Sequence, residues 1–145
     1  MNMRTAAAIL TAALLSGSAL ADGMPQQPDA PHLALLNGSV VQIVPAPDGH
    51  VTIVYVQPRP GLWGKVMPGA VLLQGHWSQD RLQATVYGYN PCGFFPYPVA
   101  GSVNPDGVLT VLGPTPLIDN ASCQIVGWEW NVSSTLAFVP WQRRF

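Results

Sequence analysis

Leu82-Gln83-Ala84-Thr85-Val86-Tyr87-Gly88 is the stretch on which the fold class turns. Side chains of an extended strand alternate between its two faces. Leu82, Ala84, Val86 and Gly88 therefore share one face, and Gln83, Thr85 and Tyr87 the other. One face is apolar and the other forms hydrogen bonds. That is the pattern of a strand covered on one side and wet on the other, as in an antiparallel sheet.

Working outward, similar short segments fill the chain. They are 39–44, 51–57, 70–76, 82–89, 97–103, 108–112, 123–130 and 135–140, each β-branched or aromatic-rich. Turn residues separate them. Pro47-Asp48-Gly49-His50 and Asn104-Pro105-Asp106-Gly107 both carry Asp-Gly, which tolerates positive φ and marks a tight hairpin. Ser78-Gln79-Asp80-Arg81 reads as a third turn. Pro58 to Gly64 and Gly113 to Ser122 read as loops, because their prolines stop a helix. No long window shows a 3.6-residue apolar period, so no substantial helix is expected.

The prediction is an all-β fold: about eight short antiparallel strands in a small barrel, with a two-sheet sandwich as the alternative. Closure is favoured because open strand edges invite aggregation, and this chain has few charges to block it.

The N-terminus predicts export. Met1 to Arg4 is a short positive region, Thr5 to Leu15 an apolar run, and Ala19-Leu20-Ala21 a small-residue cleavage site. The run is shorter than the ~20 residues of a spanning helix. Residues 1–21 are expected to be a signal peptide and 22–38 a flexible Pro-rich tether. Residues 39–145 form a single β domain in this reading, with no membrane span after cleavage. The destination is the periplasm or the exterior. In that oxidising compartment Cys92 and Cys123, the only two cysteines, read as one disulfide. The loop-entropy model assigns such a bridge roughly 3 to 4 kcal/mol.

Composition excludes several functions. Only 9% of the 145 residues are charged, against roughly 25% in an average domain. A net charge of -1 argues against nucleic acid, whose binders cluster Lys and Arg. His32, His50 and His76 are not spaced two or four apart, as a metal site on one strand or helix favours, so no metal is expected. No phosphate-binding glycine loop and no Gly-x-Ser-x-Gly occurs, so neither a nucleotide nor another cofactor is expected. Glu129, the sole Glu, lacks an obvious partner acid, although glycoside hydrolysis needs two.

The ordered motifs carry a resemblance. Tyr55-x-x-Pro58-Arg59-x-Gly61 is followed by Pro68-Gly69-x-x-Leu72-Leu73-x-Gly75. Ala84-x-Val86-Tyr87, Cys92, Pro96-Tyr97-x-Val99-x-Gly101, Gly113-Pro114 and Cys123 come after. Together they resemble a family of uncharacterised small secreted alphaproteobacterial proteins, similar also to modules found behind caspase-like domains. The resemblance implies a small secreted β domain with paired cysteines. It implies no catalytic residue.

Aromatic side chains hold the strongest functional signal. Trp128 and Trp130 share a strand face, with Glu129 pointing the other way, and either form a ligand platform or fill the barrel. Cys92-Gly93-Phe94-Phe95-Pro96-Tyr97 reads as a disulfide-anchored, pre-organised loop. The candidate binding face is therefore Phe94, Phe95, Tyr97, Trp128 and Trp130. The expected function is a non-enzymatic binding module for an envelope component: a glycan, a peptide or a protein. A small secreted hydrolase using Glu129 and a secreted protein inhibitor are the alternatives.

Overall fold

The computed structural model describes residues 31–141. The expected signal peptide at 1–21 and the tether up to residue 30 lie outside the described residues. Within them the protein is an up-and-down barrel of eight strands, closed by pairing of the first strand with the last. The strands are β1 (His32–Leu36), β2 (Ser39–Pro45), β3 (His50–Gln57), β4 (Val71–Ser78), β5 (Arg81–Asn90), β6 (Gly93–Val103), β7 (Leu109–Leu112) and β10 (Thr135–Pro140). All neighbours are antiparallel. Between β7 and β10 the chain leaves the wall as a separate two-stranded ribbon, β8 (Thr115–Asp119) and β9 (Gln124–Glu129). Short 3-10 turns stand at Pro60–Leu62 and Val132–Ser134.

The barrel is the favoured expectation, but its strands differ. Residues 123–130, expected as one of the eight, lie in the ribbon as β9, which pairs only with β8. Two segments not expected as strands are strands. His32–Leu36, expected in the tether, is β1. It pairs with β2 and β10 and so closes the wall. The local signal was Asn37-Gly38: both residues take positive φ, 47° and 86°, in a two-residue hairpin turn. Thr115–Asp119, expected as loop, is β8, despite Pro116. Proline is tolerated there because a two-stranded ribbon is edge on both sides. The expected turns at 47–50, 78–81 and 104–107 join β2 to β3, β4 to β5 and β6 to β7.

Alternation packs the interior. Ala34, Val41, Ile43, Ile53, Leu73, Leu82, Val111 and Phe138 are almost fully buried. Each large one stabilises the fold by roughly 1.5–3 kcal/mol through burial. An eight-stranded barrel has room for little else. Gly101 shows how tightly the wall closes: a Cβ there would run into the carbonyl oxygen of Thr110. The barrel aromatics are Tyr55, Trp77, Tyr97 and Phe138. Trp128 and Trp130 do not fill it; they are 51% and 68% exposed.

The disulfide joins Cys92 and Cys123, with Cα atoms 5.6 Å apart. It ties the β5–β6 turn to the tip of the ribbon. The ribbon is thus held at the barrel end that also carries the β1–β2 turn and the long β3–β4 loop.

Candidate functional site

Eight strands leave one barrel end crowded. Val66 of the β3–β4 loop is buried against the core, and Leu62 packs beside it. The loop is pinned twice. The Arg59 amide donates to the Oγ of buried Ser39 at 2.8 Å, and the Gly69 amide donates to the Tyr55 carbonyl at 2.7 Å. Between this loop, the ribbon and the starts and ends of the strands remains a cavity of about 310 Å³. That volume suits a small ligand group.

Its wall is assembled from separate elements. Tyr55 comes from β3 and Phe95 and Tyr97 from β6, at inward-facing positions. Leu36, Leu72 and Leu136 add apolar surface. The rim carries Arg59 from the loop and Glu129 from the ribbon. Neither makes an ion pair among the described residues.

Tyr55 and Tyr97 are 8% and 6% exposed. Burial raises the pKa of both phenols, because a phenolate would lose its hydration. The nearby Arg59 cation partly offsets this at Tyr55, and the neighbouring Tyr55 adds to it at Tyr97. Both therefore stand as neutral hydroxyls, each a donor and an acceptor.

Asn131 organises the ribbon's return to the barrel. Its Nδ2 donates to Thr115 Oγ1 at 2.9 Å and to Glu129 Oε1 at 3.1 Å. Its Oδ1 accepts from the Ser133 amide at 2.9 Å, and the Ser134 hydroxyl accepts from the Asn131 amide at 2.9 Å. This reciprocal capping box fixes where β9 ends.

The five expected binding aromatics do not form one face. Phe95 and Tyr97 line the cavity, and Tyr97 is buried rather than displayed. The expected loop at 92–97 is mostly strand: β6 begins at Gly93, and Phe94 to Tyr97 pair with β5. Phe94 lies outside the barrel, edge-on to Tyr89 with ring centroids 5.3 Å apart. Trp128 is exposed on the ribbon. Trp130, one residue past the end of β9, overlooks the outer side of the wall, and Glu129 lines the cavity.

Sequence reasoning missed Tyr55, Arg59, Thr115 and Asn131. Tyr55 could have been found, because Val51, Ile53 and Tyr55 alternate inward along β3. Nothing local places Arg59 or Asn131 at a common mouth. No group of three or more metal-ligating side chains occurs among the described residues. No helix among them is long and apolar enough to cross a membrane. No family model, no curated protein and no solved structure matches the chain.

Proposed function

We propose that the protein is an exported, non-enzymatic binding module. It takes a small amphipathic group of a cell-envelope component into the barrel mouth. One observation carries the reading: two buried neutral phenols, Tyr55 and Tyr97, line a cavity held open beneath a disulfide-tied ribbon. A buried hydroxyl gains from a ligand hydrogen bond that water no longer contests. The rigid surround lowers the ordering cost of binding. Phe95 and the three leucines take the apolar part of the ligand, and Arg59 and Glu129 its polar end.

A hydrolytic reading would make Glu129 the acid. Its hydrogen-bonding neighbour is the amide of Asn131, and Glu129 is the one carboxylate among the described residues of the cavity wall. A second acid would have to come from the ligand, which favours binding over turnover.

Hydrogen–deuterium exchange on the full exported chain, with and without fractionated envelope extract, tests the proposal. Protection is expected at 36–39, 58–62, 95–97 and 129–133, and is expected to vanish in Phe95→Ala and in Tyr55→Phe. Protection confined to other segments, or unchanged in both variants, overturns it.

A further inference from the structure

We infer a second binding site on the outer wall of the barrel, a trough that takes a neutral oligosaccharide. It lies away from the mouth and does not depend on the proposal made for it.

Strand register builds the trough. His50 stands opposite His76, His76 opposite Gln83, Gln83 opposite Ala100, and Ala100 opposite Leu112. This is one row of outward side chains crossing five strands. A parallel row runs through Thr52, Gln74, Thr85 and Pro98. Between the rows the side chains of Val51, Ala84 and Val99 turn toward the interior and Gly75 has none, so backbone forms the floor. The hollow measures about 850 Å³. Adjacent strands lie about 4.8 Å apart, so five strands give a length of roughly 19 Å.

Trp130 closes one end. It is 68% exposed, and its backbone sits between the end of β9 and the Asn131 capping box. The ring is thus presented from a fixed point. It is a large planar apolar face at the end lined by Pro98, Ala100, Leu112 and Pro114, with the hydrogen-bonding side chains of β3 to β5 further along the trough. The flat face of a sugar ring can lie on it.

The lining chemistry selects the ligand class. The trough holds no Asp, Glu, Lys or Arg. Its polar groups are two amides, two hydroxyls and two imidazoles. Among the described residues the side chains of Thr52, Gln83 and Thr85 make no hydrogen bond. Gln74 accepts from the Tyr87 hydroxyl at 3.0 Å through Oε1, which leaves its NH₂ to donate. His50 is held through Nδ1 by Asp48 at 2.8 Å, which leaves Nε2. Such groups both donate and accept, as a ligand of many hydroxyls requires. Apart from Asp48 behind His50, an acidic or basic polymer would find no counter-charge along the trough. An extended peptide normally adds to a strand edge, and the backbone groups beneath this trough are already paired in the ladder.

Isothermal titration of the full exported chain with cellohexaose, maltohexaose and chitohexaose tests this, each raised to about 10 mM so that affinities near 1 mM register. At least one is expected to bind. Trp130→Ala is expected to weaken it by about tenfold or more, as loss of a binding anchor does. Gln83→Ala is expected to weaken it less, and Trp128→Ala and Phe95→Ala not at all. Absence of heat with all three sugars overturns the inference. So does binding that survives Trp130→Ala, or that falls equally in Trp128→Ala. A random hexapeptide mixture that binds where the sugars do not overturns it in favour of a peptide. Loss of sugar binding in Phe95→Ala would move the sugar to the mouth and overturn the trough alone.

Discussion

Cys92, in the turn between β5 and β6, is bonded to Cys123 at the ribbon tip, across a sequence separation of 31 residues. The barrel closes its own ladder without the ribbon, whose strands pair only with each other. The bridge therefore positions the ribbon over the mouth, while the wall is made by the strands. Cys123 takes φ 56°, a left-handed conformation that the ribbon turn imposes on it. Cys92→Ser with Cys123→Ser is expected to leave a folded barrel, less stable by about 2–4 kcal/mol, because the unfolded chain regains loop entropy. Urea unfolding of the pair of variants measures this. A helical or unfolded circular-dichroism spectrum would show that the staple makes the fold.

Gly101→Ala tests how closely β6 and β7 approach. The added carbon would meet the Thr110 carbonyl, a backbone atom that cannot swing aside. A loss of about 3 kcal/mol or more is expected. Gly64→Ala supplies the contrast: no atom lies within 4 Å of its Cβ site, and only its positive φ of 75° resists. That cost should be near 1 kcal/mol. Equal losses in thermal unfolding would refute the packing argument.

Trp77 is buried with its indole N–H lacking a hydrogen-bond partner among the described residues. An unsatisfied buried donor costs roughly 1–3 kcal/mol. Trp77→Phe removes that burden along with some packing, so the net change should stay within about 1 kcal/mol. Replacing a large core aromatic by alanine would typically cost 3–5 kcal/mol. A loss of that size in Trp77→Phe would mean that the indole nitrogen has a partner.

The two buried phenols predict behaviour in alkali. Their folded pKa values lie above the ordinary value of 10.0. The folded protein then holds its phenolic protons more tightly than the unfolded chain. Stability is fully present below pH 10 and falls as pH rises from there through the folded values. Tyr97→Phe should flatten part of this decline. Phenolate absorbance followed beside unfolding checks the sign. Stability that rises above pH 10 would contradict the burial of both hydroxyls.

Asp119 predicts the opposite limb. Its carboxylate accepts from the Ala121 amide and the Ser122 hydroxyl at the ribbon tip, which lowers its pKa below 3.8. The ribbon turn keeps this support above pH 3.8 and loses it as pH falls through the lowered value. Protection of the 119–123 amides, taken relative to unstructured exchange at each pH, should fall on acidification, and Asp119→Asn should blunt the change. An unaltered acid response in Asp119→Asn would assign it elsewhere.

The alternation in Leu82 to Gly88 and the Asp-Gly turns were enough to read strands, hairpins and an antiparallel sheet, because period and turn chemistry are local. The scarcity of charges favoured closure, but barrel against sandwich was decided only by the tertiary structure. The pairing of Cys92 with Cys123 was also legible, since only two cysteines were present. Which strands form the wall was not. Residues 123–130 look as strand-like as 135–140, yet only the latter pair with β1 and β7. Partner choice depends on long-range register and on the staple, which no local window contains. The same holds for the sites. Phe94 and Phe95 are sequence neighbours on opposite sides of the wall. Tyr55 and Tyr97, far apart in the chain, share one mouth. A strand tells each side chain which face it takes, and only closure of the barrel says which faces meet.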